Sequence, residues 1–273
     1  MNRQDLDELF EEHRKAARCP SPKIVIEFFG NLLGFMFPEH CSREITRPED
    51  LESYLVELKE ELLFILSKRP EHDPVKDSGI IQDFLKSLPE LKSELALDID
   101  AIYEGDPAAR SVAEVVRAYP GFYAIASYRI AHALFNEGLG LIARMITEHA
   151  HSRTGIDIHP GARIGSHFCI DHGTGIVIGE TTIIGDYVKV YQGVTLGALS
   201  VRKEDAAVKR HPTIEDHVVI YAGASILGGD TVVGYQSTIG GNVWLTESVP
   251  PFSKVYYKAE FIKEVNDKRK EVL

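Results

Sequence analysis

The second half of the chain carries a ladder of aliphatic residues, most of them six positions apart. Its members are Ile158, Ile164, Ile170, Ile178, Ile184, Val190, Leu196, Ile214, Ile220, Ile226, Val233, Ile239 and Leu245. A period of six fits neither an α-helix, which has 3.6 residues per turn, nor a simple alternating strand. It predicts a parallel β-helix, in which each triangular coil takes three six-residue faces and stacks its aliphatic side chains on the coil below.

The ladder has three irregular steps. The step from Ile170 to Ile178 is eight residues and that from Ile226 to Val233 is seven, so we expect the backbone to bulge at those corners. Between Leu196 and Ile214 there is no phased aliphatic residue, and the segment is strongly charged. This predicts a loop, over about residues 199–212, that is extruded from one coil, and long loops in compact domains are often functional.

The first half of the chain predicts a separate helical domain over residues 1–152. Leucines from Leu51 to Leu66 and apolar residues from Ile80 to Leu95 recur at helical spacing, and two further helices are expected near 122–135 and 140–151. Prolines, Pro89 among them, are expected to separate this half into several helices. The β-helix would occupy residues 153–255, and residues 256–273 would form a helix or tail that covers its last coil.

Composition narrows the possible partners and the compartment. The net charge of -11 argues against a nucleic acid partner and against an anionic membrane surface. Three cysteines without short paired spacing fit neither a disulfide framework nor a zinc module, and they suit a reducing cytosol. The first residues are acidic and polar, so we expect no signal peptide, and the most apolar stretch is too short to span a bilayer. The prediction is a cytoplasmic protein.

The pair Asp171-His172 follows the ladder residue Ile170 directly, just before the eight-residue step. A histidine can accept a proton from a hydroxyl group at neutral pH. Asp157 lies 15 residues earlier, close to one coil of about 18, so Asp157 and His172 are expected on adjacent coils near one corner. There the carboxylate could orient the imidazole. An exposed corner histidine and a polar cap on the first coil remain the alternatives.

Two further groups of residues could bind charged ligands. Arg210-His211 ends the extruded loop, and a guanidinium group suits a carboxylate, although a solvated basic run would look the same. Asp106 stands before Pro107-Ala108, which is the ordinary sequence of a helix N-cap and first turn. Taken alone, neither group identifies a substrate.

Taken together, these segments resemble serine O-acetyltransferases of the hexapeptide acyltransferase class. The resemblance covers about residues 98–255 and rests on the motifs GDPAAR, YPGFYAIASYRIAH, DIHPGARIG, IDHGTGIVIGET, QGVTLGA, KRHPTI and GGNVW. It implies an α+β chain, with an N-terminal all-helical domain followed by a left-handed parallel β-helix of hexapeptide repeats with an extruded loop. It also implies acetyl transfer from acetyl-CoA to the hydroxyl of L-serine, the first step of cysteine biosynthesis from serine.

The resemblance also implies roles for individual residues. His172 would be the general base and Asp157 would orient it, while Glu180 would line the site. The serine ammonium would be held by Asp106 and Asp171, and its carboxylate by Arg210 with His211. Acetyl-CoA, a co-substrate, would contact Gly197, Ala198 and Ala222, whose backbone amides could stabilise developing negative charge. These roles agree with the chemistry, because zwitterionic serine needs an anionic and a cationic partner together with a base at its hydroxyl. No metal is expected.

The predicted partners follow from the same resemblance and from the expected shape. Flat prism faces pack well around a three-fold axis, so a homotrimer or a dimer of trimers is expected. L-Cysteine would be a feedback inhibitor, and a tail ending at Leu273 could bind an O-acetylserine sulfhydrylase. Three alternatives stay open: acylation of another acceptor such as homoserine or a sugar, a silent scaffold, and a metal enzyme resembling γ-type carbonic anhydrases with ligands His159, His167 and His172.

Overall fold

A computed structural model describes residues 1–199 and 208–258. Within these residues, seven α-helices precede a β-solenoid. The helices are α1 (Arg3–Ala16), α2 (Pro22–Met36), α3 (Pro48–Ser67), α4 (Pro74–Gly105), α5 (Val112–Ala118), α6 (Pro120–Asn136) and α7 (Gly140–Thr154), with a short 3₁₀ turn at Pro38–His40. The two helices expected near 122–135 and 140–151 are confirmed as α6 and α7. No helix in the described part is long and apolar enough to cross a membrane.

The sequence predicted that the prolines separate helices, and this is wrong for Pro89. Pro22, Pro48, Pro74 and Pro120 each occupy the first turn of a helix, where the missing N–H costs no hydrogen bond. Pro89, however, lies in the middle of the 32-residue helix α4. A long buried face on both sides of Pro89 keeps the helix continuous, because tertiary packing outweighs the loss of one hydrogen bond.

The leucine-rich face of α3 is only partly buried. Leu58, Leu62 and Leu66 are in the core, whereas Leu51, Leu55 and Leu63 are exposed. The core-facing stripe is narrower than the set of leucines, because α3 packs mainly against α2 and α4.

Fourteen short parallel strands form the described solenoid. They are β1 (Asp157–Ile158), β2 (Arg163–Ile164), β3 (Cys169–Asp171), β4 (Val177–Ile178), β5 (Ile183–Ile184), β6 (Lys189–Tyr191), β7 (Thr195–Gly197), β8 (Thr213–Ile214), β9 (Val219–Ile220), β10 (Ser225–Leu227), β11 (Val232–Val233), β12 (Thr238–Ile239), β13 (Trp244–Leu245) and β14 (Lys254–Val255). Each strand pairs with the strand three positions earlier in the chain, so the strands form three parallel sheets, the faces of the solenoid. Face A contains β1, β4, β7, β10 and β13; face B contains β2, β5, β8 and β11; face C contains β3, β6, β9, β12 and β14. This confirms the fold class.

The register explains the irregular ladder steps. Asp157 pairs with Val177 and Val177 with Thr195, so the first coil has two residues more than the second. Thr195 then pairs with Ser225, and the excess of residues in this coil corresponds to the predicted loop, of which residues 200–207 lie outside the described part. The expected helix or tail over 256–273 also lies mostly outside it, since the description ends at residue 258.

The helical part packs directly on the first coil. The buried Arg129 of α6 pairs through Nε and Nη2 with the Asp98 carboxylate of α4, at 2.7 and 2.9 Å. The same guanidinium donates to the carbonyl oxygens of Ile164 and Gly165, and the Phe168 amide donates to Asp98. One continuous core therefore joins the helices and the solenoid.

Candidate active site

The first group of predicted site residues lies at the edge between faces C and A. His172 follows β3 in a left-handed backbone conformation, with φ of 60°, and its side chain is 75% exposed. In the described part of the chain, the ring makes no hydrogen bond, and the one carboxylate within 4 Å is Asp171, whose Oδ1 lies 3.8 Å from Nε2. The imidazole is therefore open to a substrate.

Asp106 lies close to this edge, but it is not the predicted helix N-cap. It caps the C-terminus of α4, and the next helix, α5, begins after Ser111. The Asp106 carboxylate accepts hydrogen bonds from the Tyr119 hydroxyl at 2.7 Å and from the Ala108 amide at 2.8 Å. These bonds lower the pKa of Asp106, and the same carboxylate raises the pKa of Tyr119 to about 12. Asp106 is thus held as an anion.

Lys189, which sequence reasoning did not single out, completes the first group. Its ammonium group lies 2.8 Å from Asp171 Oδ2 and donates to the Gly105 carbonyl at 2.7 Å. Burial opposes the charge, but the hydrogen bonds to Asp171 and Tyr191 and the nearby negative charges together outweigh it and raise the pKa of Lys189 above its ordinary value. In the described strands Lys189 stands one residue before an inward aliphatic residue, as Lys254 does, so no local signal sets Lys189 apart.

The second group of predicted site residues lies at the edge between faces A and B. Arg210 donates through Nη2 to Glu180 Oε2 at 2.5 Å. Burial opposes ionisation of Glu180, but this bond and nearby positive charges lower its pKa. Thr181, also missed from the sequence, accepts at its hydroxyl from the backbone amides of Arg210 and His211 and so fixes this turn.

His211 is an uncharged donor rather than a second cation. Its Nδ1 accepts from the Thr181 amide at 3.0 Å, which leaves Nε2 to carry the proton. The ring packs so closely on Gly179 that any Cβ there would overlap it. Burial, aided by the Arg210 charge, lowers the pKa of His211 to about 4.

Asp157 and His172 both lie next to the edge between faces C and A, as the sequence suggested, Asp157 at the start of β1 and His172 after β3. Glu148 and His151 of α7 lie close to Asp157. One ligand atom from each of these three residues lies within 4.8 Å of the others, although two of the residues are only partly buried and Glu148 is exposed. The pairing of the Asp157 carboxylate with the His172 imidazole stays a prediction.

The remaining candidates lie at the edges of face A or at separate corners. Gly197 ends β7 on face A, and Ala198 follows it at the A–B edge, whereas Ala222 follows β9 at the C–A edge. The three histidines considered as metal ligands, His159, His167 and His172, follow β1, β2 and β3 and so occupy three different corners of the first coil. They do not converge within the chain.

The two groups of site residues are separated by the width of face A. About six residues at about 3.3 Å each give a separation of roughly 15–20 Å, whereas the charged ends of serine are only a few ångströms apart. Asp106, Asp171 and His172 on one edge cannot share one serine molecule with Arg210 on the other edge of the same chain.

Comparisons with known proteins agree with these features. Residues 51–127 match the family description "Serine acetyltransferase, N-terminal". A plasmid-encoded serine acetyltransferase of Synechococcus elongatus is 58% identical over 178 residues, 63% of this chain and 56% of that protein. The serine acetyltransferase of Bacillus subtilis is 50% identical over 158 residues, 58% of this chain and 70% of that protein. The chain belongs to the serine acetyltransferase family.

Solved structures of the family share the fold. Serine acetyltransferase 1 of Entamoeba histolytica, in complex with L-cysteine, is 38% identical, with a TM-score of 0.77 over 84% of this chain and 86% of that one. The Neisseria gonorrhoeae enzyme, in complex with serine, is 32% identical, with a TM-score of 0.60 over 78% of this chain and 89% of that one. Family membership confirms the predicted class, an acyltransferase that uses acetyl-CoA and acts on serine.

Proposed function

We propose that the chain carries out its family's reaction by direct attack of the L-serine hydroxyl on acetyl-CoA, with His172 as the general base. The observation that carries this mechanism is the position of His172, whose open imidazole stands beside the anionic Asp106 and Asp171. A base at this point can take the hydroxyl proton while the carboxylates hold the ammonium group. Arg210 supports the assignment, because a guanidinium group suits the serine carboxylate.

The reaction then needs no covalent enzyme intermediate. The serine Oγ forms a bond to the thioester carbon as its proton passes to His172. The resulting oxyanion is stabilised by backbone amides near Gly197 and Ala198. When the C–S bond breaks, His172 returns the proton to the leaving thiolate of CoA. Cys169 is unsuited to carry the acyl group, because it is buried and burial raises its pKa to about 12.

We infer that the site is completed by a second copy of the chain in a homotrimer. If face A turns towards a three-fold axis, the C–A edge of each chain meets the A–B edge of its neighbour. His172 of one chain would then share a serine with Arg210 of the next. Val177, Thr195 and Ser225, the outward residues in the middle of face A, are uncharged and suit such a contact.

A dimer of trimers is the larger assembly that the surface supports. Helix α1 buries none of its residues and exposes Leu6, Leu9 and Phe10, which could pair two trimers through their helical parts. Light scattering of the purified protein would distinguish a trimer from a hexamer.

Mixing inactive variants tests the shared site. His172→Ala and Arg210→Ala chains, unfolded and refolded together in equal amounts, should recover up to about a quarter of wild-type turnover, since half of the chains supply an intact base and half of their neighbours an intact arginine. Each variant refolded alone is the control, and both controls should have little activity at a serine concentration well below the KM of Arg210→Ala. If the mixture is no more active than the two controls, the site lies within one chain.

The substrate is tested by thiol release from acetyl-CoA with serine, homoserine, threonine and a galactoside as acceptors. We expect rapid release with L-serine, and little with the galactoside, which lacks both charged groups, or with homoserine, whose hydroxyl lies one methylene further from them. Release with the galactoside but not with serine would refute the proposal.

L-Cysteine should inhibit by occupying the serine position, because it carries the same ammonium and carboxylate groups. Inhibition should be competitive with serine and should weaken in Arg210→Ala in parallel with the serine KM. The predicted sulfhydrylase partner depends on the segment ending at Leu273, which lies outside the described residues, and it stays a prediction to be tested by co-purification.

A further inference from the structure

We propose that Lys189 is a positioning residue of the serine site, which fixes the two ammonium-binding carboxylates relative to each other and leaves them one net negative charge. The proposal rests on the proposed function, because it assigns a role to Lys189 within the site that binds serine.

Lys189 connects three elements that meet at the C–A edge. Its ammonium group lies 2.8 Å from Asp171 Oδ2, at the end of β3, and 2.7 Å from the Gly105 carbonyl oxygen, at the end of α4. It also lies 4.6 Å from the centroid of the Tyr191 ring, on its own strand. The side chain is only 18% exposed, so the contacts are shielded from solvent. A cation at the end of α4 is further favoured by the helix dipole.

The contact with Gly105 matters because Asp106 is the next residue. Asp106 is held on its other side by Tyr119 and by the Ala108 amide. Lys189 therefore ties the peptide that carries Asp106 to the strand that carries Asp171. Asp106 belongs to the helical part and Asp171 to the solenoid, and Lys189 contacts both segments directly at the site.

Charge balance gives Lys189 a second role. Asp106 and Asp171 together carry two negative charges, whereas serine offers one ammonium group. With Lys189 included, the edge has one net negative charge, which matches the ligand. Lys189 also occupies Oδ2 of Asp171 and leaves Oδ1 on the side of His172. A serine ammonium bound to Oδ1 and to Asp106 would then place its hydroxyl near the base.

Replacing Lys189 by methionine keeps the length of the side chain but removes its charge. We expect the serine KM to rise on the order of tenfold or more while the acetyl-CoA KM changes less than about twofold, because the contact acts on only one substrate. The inhibition constant of L-cysteine should rise in parallel with the serine KM. Lys189→Arg, which keeps the charge and can donate to both oxygens, should recover most of the loss.

Lys254→Met is the matched control, because Lys254 is exposed on β14 of the same face and takes no part in the site. It should leave both KM values unchanged. A Lys189→Met enzyme with wild-type serine KM, or with equal rises in both KM values and a lower melting temperature, would overturn the proposal. Calorimetric titration of L-cysteine into Lys189→Met and wild-type protein tests the role of Lys189 separately from the proposed reaction. It measures binding even if the wild type fails to acetylate serine. Equal cysteine affinities would refute the role of Lys189.

Discussion

Replacing Asp98 by alanine should loosen the joint between the helical part and the solenoid. Asp98 is completely buried and accepts three hydrogen bonds, two from Arg129 and one from the Phe168 amide. The substitution leaves the Arg129 guanidinium, which is 7% exposed, with only the half-exposed Glu94 carboxylate, 3.8 Å away, as a charged partner. Removing one partner of a buried ion pair costs about 3–5 kcal/mol, which is a large part of a typical domain's stability of about 5–15 kcal/mol.

The loss should also reach the site. Asp98 and Asp106 are eight residues apart on and just beyond α4, or about 12 Å along the helix axis. An α4 that is no longer anchored to the first coil holds Asp106 less firmly, so we expect the serine KM to rise as the melting temperature falls.

Thermal unfolding and serine KM should be measured together for Asp98→Ala, for Arg129→Met, for the exposed control Asp100→Ala and for the double variant Asp98→Ala/Arg129→Met. The double variant should regain much of the stability, because the uncompensated charge is gone. If Asp98→Ala unfolds at the same temperature as Asp100→Ala, or if the double variant is as unstable as the sum of the two single changes, the reasoning is wrong.

Three further predictions concern the site itself. His172→Ala should lower kcat by roughly 10²–10⁴-fold with the fold intact, and Asp157→Asn should cost less; near-full turnover of His172→Ala would show that the base lies elsewhere. Arg210→Ala should raise the KM for serine much more than that for acetyl-CoA, and equal effects would indicate a role for the loop in coenzyme binding. Since the folded-state pKa of His211 is about 4 and its unfolded value about 6.5, the unfolded chain takes up a proton first as the pH falls. Stability should then drop by up to about 3 kcal/mol between pH 6.5 and 4. His211→Gln should show a weaker pH dependence of the melting temperature, and an unchanged dependence would refute this assignment.

The solenoid could be predicted from the sequence because the aliphatic side chains at every sixth position can be buried together only inside such coils. Prediction from the sequence was wrong where tertiary contacts determine the local structure. Asp106-Pro107-Ala108 has the local sequence of a helix start, but α4 runs into Asp106 from the other side. Pro89 looked like a break, yet packing on both sides keeps α4 continuous.

The separation of the two site groups was partly readable from the ladder. Each ladder step advances the chain by one face of the coil. His172 therefore follows the third face of its coil (face C), whereas Glu180 follows the first face of the next coil (face A). Lys189 was not readable, because its role depends on the end of α4 arriving beside β6. Such a meeting of distant segments leaves no trace in the residues around position 189.

The left-handed backbone at His172 favours one type of residue, whereas the reaction needs another. At the corresponding edge, Asn242 takes the same conformation, with φ of 58°, and glycine, which has no Cβ, is the residue that tolerates it best. The residue type that would suit this corner most is therefore one that cannot act as a base. His172→Gly should melt at a temperature no lower than that of the wild type while it loses turnover, so selection for stability alone would not keep the base at this corner.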